Sequence, residues 1–524
     1  MAGPTDEDDR TLTEETPLLT GSTVSDAETE TEAEREVEEE DPRDLVRTRV
    51  IVLCVTIIFL IELCVGLCTP AFNALLEVNI CREMNPGIAE DLMSLMNNEL
   101  CKAPAVQGQL AMIRGWSGTL DCVPGLLFSV PFGVMSDKVG RKPILFLSFF
   151  GVLLSIAWMM LSLAAGWPTW VCLLESAFQI IGGSAVTGTS MLYTMLADVV
   201  HVDAMASVLF RFGSTFLVAE LIATPLSGFL LSFSPWWPPV LGLLMGVVCL
   251  LAVIIAPETL QVRQWHDARS GRGRAVPEEQ SGEEADDDLS GAKTKKTAGG
   301  GFMHLVRSNA ADLSHFVLGN RRLVVLMLPL IFVTLGRFVQ ELLLQYSTKR
   351  YHWSWSTAAY VITLKTLSLI ALFVIVLPAI SKFCLDVLKM TPLAKDLWLS
   401  RWSGIILISG AGLLALAFTP SIFVFGLITL SAGSGFPVLI RSLLNALVEP
   451  HHVGILNTLI GFLEVAGLMV ASPTLAAAMR GGLNLGGAWV GLPFMVSGLL
   501  FVVASAIVFA FRLPPPEVQR ELAD

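Results

Sequence analysis

Ten ionisable residues stand inside long apolar stretches of this chain: Glu62, Arg114, Asp121, Glu175, Glu220, Arg337, Glu341, Lys365, Arg441 and Glu464. A charge in the middle of a membrane-spanning segment costs about 2.5–3.5 kcal/mol on insertion scales, so each needs a partner or a task. Acids and bases are nearly balanced, as paired charges would be. Arg114 and Asp121 are seven residues apart and share one helix face. Arg337 and Glu341 are four apart and can pair along one helix. Two readings stay open for each residue: a packing salt bridge between helices, or the wall of a polar cavity. For the set, a cavity is expected. Its carboxylates can exchange a basic partner for a proton, and its bases can hold an anionic or polar solute. No histidine lies mid-span, so any proton would travel on carboxylates.

Composition defines the elements that must position these charges. The 524 residues are 53% hydrophobic and 15% charged, with a mean hydropathy of +0.65. A soluble domain carries about 25% charged residues. Lipid is therefore the expected solvent for most of the chain. The net charge of -13 is confined to one tail, since residues 1–41 hold 16 acids and 2 bases. Such a tail is expected to be disordered and is no signal peptide.

A membrane helix needs roughly 20 mostly apolar residues. Twelve runs qualify, at about 49–71, 107–132, 143–163, 168–196, 205–232, 237–257, 322–347, 356–380, 398–418, 421–446, 452–479 and 487–511. The expected fold is an all-α membrane protein of twelve transmembrane helices in two six-helix bundles. The expected segments are an acidic tail (1–47), a first bundle (48–257), a polar linker (258–321), a second bundle (322–511) and a short tail (512–524). The linker is expected to end in a short amphipathic helix within FMHLVRSNAADLSHFVLGN. With the N-terminus inside, twelve Lys and Arg residues flank the spans on the inner side and five on the outer. This bias predicts both termini in the cytoplasm.

GVMSDKVGRKP, residues 133–143, is the inner turn between spans 2 and 3. Its pattern of Gly133, Asp137, Gly140, Arg141 and Lys142 resembles the signature of the major facilitator superfamily at the same turn. The resemblance implies a conformational latch. Gly133 would let helices approach closely, Gly140 would turn tightly with positive φ, and Asp137 would face the start of span 11 near Val453. APETL, with Pro257, Glu258 and Thr259, resembles another facilitator element. The matching turn of the second half, SKFCLDVLKMTPLAKDLWLSR, lacks the signature. FSVPFGVMSDKVGRKPILFLSFFG, YTMLADV and FPVLIRSLLNALVE look like the proton-coupled folate transporter family. QYSTKRYHWSWSTAAY is similar to fungal facilitators. The folate-family resemblance implies a substrate and proton role for Arg441. Glu220 and Thr224 stand where antiporter facilitators usually carry glycines, which speaks against drug/proton exchange.

Together these features predict a secondary active transporter of a small organic solute, coupled to protons and working as a monomer in the bilayer. A proton-driven efflux antiporter and a non-transporting sensor are the alternatives. The candidate substrate and proton site is Glu62, Asp121, Glu220, Arg337, Glu341, Lys365 and Arg441. No Walker loop, C-x-x-C pair or catalytic cluster is present, so no cofactor, metal, nucleic acid or enzymatic role is expected. Cys81 and Cys101 share the outer loop 72–106, where an oxidising side would bridge them. Glu14 with Leu18 and Leu19 fits an acidic dileucine sorting signal, which would bind a sorting adaptor and direct the chain to a vacuolar rather than a plasma membrane.

Overall fold

The computed structural model describes residues 42–260 and 321–513, apart from 88–90, 97, 201 and 449–452. Glu14, Leu18 and Leu19, the expected linker helix and the C-terminal tail lie outside the described residues. Among the described residues, twelve helical segments are long and apolar enough to cross a membrane. Spans 1 to 6 are Arg47–Met84, Pro104–Val139, Arg141–Ala164, Thr169–Val199, Val208–Leu231 and Trp237–Ile255. Spans 7 to 12 are Leu323–Tyr351, Trp355–Asp386, Pro392–Ala415, Pro420–Ala446, Leu459–Leu485 and Gly487–Ala510. Helices suit such segments because every backbone N–H and C=O finds its partner inside the segment.

Local chemistry sets the boundaries. Pro104, Pro392 and Pro420 each open a helix, where a missing N–H costs nothing. Ser354, Thr391 and Thr419 cap spans 8, 9 and 10 by accepting from the backbone N–H groups of Thr357, Ala394 and Ile422. Two sequence expectations need correction. The first helix runs on to Met84, so residues 72–84 are helical rather than loop. Span 8 likewise continues to Asp386, leaving a turn of five residues before Pro392. In both cases, polar residues such as Asn79, Glu83 and Lys382 extend the helix past the apolar run that marks it in the sequence.

Spans 1–6 pack among themselves and spans 7–12 do the same, with small residues at the crossings. A Cβ on Gly66 would stand 2.6 Å from that of Ala223, and one on Gly242 would stand 2.7 Å from Cys68 Sγ. Close backbone approach of this kind gains dispersion contacts where lipid removes the hydrophobic drive. The two bundles meet chiefly along span 2 against span 11 and span 5 against span 8.

These seams are tight at one end only. At the end carrying Cys81 and Cys101, a Cβ on Gly115 would lie 2.5 Å from Ala476 Cβ. Thr119 Oγ1 donates to Met469 O, and Ser356 Oγ donates to Gly228 O. At the end carrying the 133–143 turn, Leu127, Val130 and Val134 of span 2 are exposed and nothing described lies within 4 Å of a Cβ on Gly133. Among the described residues, the bundles are thus sealed at the disulfide end and not packed together around Gly133 at the signature end. This corrects the expectation that Gly133 sits at a close helix crossing in the conformation described.

Candidate functional site

The signature turn is organised by carboxylates of its own bundle. Gly140 has φ +114°, a conformation open to glycine and strained for other residues. Its bareness also admits the Glu258 carboxylate, which would lie 2.6 Å from an added Cβ. Glu258 accepts from the N–H groups of Arg141 (2.9 Å) and Lys142 (3.1 Å), neutralising the exposed start of span 3. The Arg141 side chain is buried, 2.6 Å from Asp137 Oδ1 and 3.5 Å from Asp198 Oδ2. Thr259 Oγ1 donates to the same Asp198 oxygen. Asp137 therefore pairs with Arg141 within its own turn, and the side chains near Val453 lie outside the described residues. Lys142 Nζ donates to Ile254 O. Pro257–Thr259 thus act as the clamp that closes spans 3, 4 and 6 together. The buried role of Asp198 was not read from YTMLADV.

Three groups of charges lie deeper. Lys365 Nζ of span 8 is 2.9 Å from Glu220 Oε1 of span 5, and this ion pair joins the two bundles. Glu62 of span 1 is an electrostatic neighbour of Glu220. In the second bundle, Arg441 Nη2 donates to Glu464 Oε2 at 2.9 Å, with both side chains more than a third exposed. Arg337 is exposed, and its carboxylate neighbour is also Glu464. The expected pairing of Arg337 with Glu341 fails for a local reason: Phe338–Leu342 is a 3₁₀ segment. Its tighter winding takes Glu341 off the face that an α-helix would give it.

The third group surrounds a break in span 4. Thr169–Leu174 and Gln179–Ile181 are 3₁₀ turns, and the long α-helix starts only at Ser184. Gly183 (φ +77°) and Ser184 (φ +73°) are both left-handed. The break presents Glu175, Ser176 and Gln179 to span 2. Asp121 Oδ1 accepts from Ser176 Oγ (2.6 Å) and Gln179 Nε2 (2.8 Å). Ser117 Oγ donates to Glu175 Oε1 at 2.8 Å. Arg114 is an electrostatic neighbour of both acids. Asp121 thus belongs to a separate network inside the first bundle, away from the Glu220–Lys365 pair. Ser117, Ser176 and Gln179 were missed in the sequence. The Gly182-Gly183-Ser184 triplet inside an apolar run was the signal that could have found them.

Cys81 and Cys101 form a disulfide, with Cα atoms 5.1 Å apart. Cys384 is fully buried. Among the described residues, no cluster of His, Cys, Asp and Glu has the makings of a metal site.

Comparison with known proteins agrees with this architecture. The chain is 28% identical over 421 residues to the MFS efflux pump atnC of Emericella nidulans, covering 80% of this chain and 78% of that protein. It is 28% identical over 424 residues to the efflux pump ustT of Aspergillus flavus, covering 79% and 78%. The fold is similar to the inward-open xylose transporter XylE from E. coli, with a TM-score of 0.59 at 12% identity, covering 91% and 99% of the two chains. It is also similar to the nucleoside transporter NupG, with a TM-score of 0.57 at 12% identity, covering 88% and 100%. Those two likenesses concern the fold alone. The sequence profile of the Major Facilitator Superfamily matches residues 92–393. The chain therefore belongs to the Major Facilitator Superfamily, as a multi-pass secondary transporter and not an enzyme.

Proposed function

We propose that the chain exports a small organic solute from the cytosol in exchange for protons, by alternating access between its two bundles. The observation that carries this reading is the Glu220–Lys365 pair across the bundle interface. An ion pair between bundles resists their separation, and a proton on Glu220 removes that attraction. Protonation is then linked to rocking with no further device. Arg337 and Arg441, which flank Glu464 and are exposed, are the groups that would hold an anionic or polar part of the solute.

The Lys and Arg bias puts the signature end in the cytoplasm and the disulfide on the far side. The conformation described would then be open to the cytosol, ready to load a solute for export. The direction draws on relatives whose names call them efflux pumps. Two of the glycine positions of the antiporter pattern are Glu220 and Thr224 here, so the coupling would rest on the glutamate rather than on a flexible glycine face. Export into a vacuole and export across the plasma membrane are the same movement out of the cytosol. Span 2 would latch against span 11 through Gly133 and Asp137 once the signature end closes.

Inside-out vesicles from cells that make the protein test this. They are energised to an acid interior and offered a mixture of small organic metabolites, and the contents are compared by mass spectrometry with vesicles lacking it. The expected result is accumulation of at least one solute, lost when an ionophore collapses the pH gradient. Accumulation that survives the ionophore contradicts proton coupling. No difference between the vesicles for any solute contradicts export.

A further inference from the structure

The disulfide end holds a fully buried carboxylate that the site above does not use. Glu77 of span 1 has no exposed surface. Lys102 Nζ donates to both its oxygens, at 2.8 and 2.7 Å, and Gln107 Nε2 donates to Oε1. The fourth hydrogen bond comes from the other bundle: Trp355 Nε1, 2.6 Å from Oε2. Trp355 is the first residue of span 8 and is 1% exposed. Lys102 Nζ lies 5.3 Å from the centre of its ring, so the indole takes a cation on its face and offers its N–H to the anion.

Three further bonds cross the same seam. Gln345 Nε2 of span 7 donates to the backbone oxygen of Gln107 at 2.6 Å and to its Oε1 at 3.1 Å. Lys349 Nζ donates to the Lys102 backbone oxygen at 2.5 Å. Every one of these donors belongs to the second bundle and every acceptor to the first. Glu77 therefore ties Lys102 and Gln107 of its own bundle into one plate, and Trp355, Gln345 and Lys349 plug into it.

We infer that Glu77 and Trp355 form the gate that holds the disulfide end shut, and that the disulfide keeps this gate reversible. A buried carboxylate that loses its cation is strongly destabilising. Glu77 is spared that on opening because Lys102 travels with it. Cys101 precedes Lys102 directly, Cys81 lies one turn past Glu77, and the bridge fixes the two strands of chain together. When the bundles part at this end, Trp355 and Gln345 withdraw and water takes their place. The Glu77–Lys102 pair remains intact inside the first bundle. Trp355 is thus a positioning residue for transport. It acts on the conformational balance and not on the solute.

The test reads conformation alone, so its failure is separate from any failure of proton-driven export. Fluorophores are attached through non-canonical residues at exposed positions Leu100 and Trp489, one on each bundle at this end. Single-molecule energy transfer then gives the populations of short and long separations in nanodiscs. Trp355→Phe removes the N–H together with the pyrrole part of the indole and leaves a six-membered aromatic ring, and Trp353→Phe makes the same loss of ring away from Glu77. The long-separation population is expected to rise about tenfold, the scale of one lost hydrogen bond to a charged acceptor. Gln345→Met, a second variant that should fold if the first does not, is expected to move it in the same direction. Trp353→Phe is the control, because Trp353 packs against Tyr351 and edge-on to Phe423 within the second bundle. An unchanged distribution in Trp355→Phe and Gln345→Met overturns the gate. So does an equal change in Trp353→Phe.

Discussion

Gly140 shows how one missing side chain can organise a polar turn. Its φ of +114° and the Glu258 carboxylate beside it both require a bare Cα. Gly140→Ala would strain the backbone and push away the group that caps span 3. A loss of about 1–3 kcal/mol is expected, the range of single changes at a special backbone conformation. Thermal unfolding in detergent measures it, and a melting temperature equal to wild type would mean that the cap is dispensable. Arg441 belongs to a different kind of site. It makes one bond to Glu464 and leaves the rest of its planar fork exposed. Arg441→Lys keeps the charge and loses the fork. For the solute found in the vesicle experiment, the half-saturating concentration is expected to rise about tenfold, the weight of one charge-assisted bond. An unchanged value would make Arg441 a packing residue.

At the scale of elements, span 2 carries the argument. Gly115 and Gly133 are eighteen residues apart, five full turns, so they share a face despite the bends at Pro124 and Pro131. Gly115 is pressed against Ala476 and Gly133 faces open space. One face therefore meets span 11 at one end and leaves it at the other. Two leucine substitutions should behave oppositely. Gly115→Leu overpacks the closed seam and should destabilise this conformation by about 1–3 kcal/mol. Gly133→Leu should leave its melting temperature unchanged and still abolish transport, by blocking closure at the signature end. Normal transport by Gly133→Leu would remove the latch from span 2.

The same scale shows what the sequence could convey. Apolar runs marked all twelve spans, because a bilayer demands length and hydropathy that are readable locally. The ends of spans 1 and 8 were not readable, since polar residues continue a helix as readily as they begin a loop. The break in span 4 was hidden by an apolar composition that ran through it. Partners across the bundle seam were hidden for a further reason. Glu77 and Trp355 are 278 residues apart, and neither type nor spacing announces such a pair. Glu220 and Lys365 each stood out as a charge in an apolar run, yet nothing in the sequence joined them.

For the whole molecule, the two ends are built from different materials. The disulfide end is closed by buried hydrogen bonds between bundles, around Glu77. The signature end is held within one bundle by Arg141, Asp198 and Glu258, and its faces toward span 11 are free to close. Between them stands the ion pair of Glu220 and Lys365, which crosses from one bundle to the other. An exchange of that pair for a proton is the step that would make the rocking of the whole structure depend on a pH gradient. The most direct measurement compares wild type with Glu220→Gln in proteoliposomes, using the solute identified in vesicles. Glutamine keeps the shape and cannot titrate. Wild type should show net transport driven by the pH gradient as well as solute exchange without one. Glu220→Gln should lose the gradient-driven transport and retain the exchange. Full gradient-driven transport by Glu220→Gln would show that the proton moves through another group.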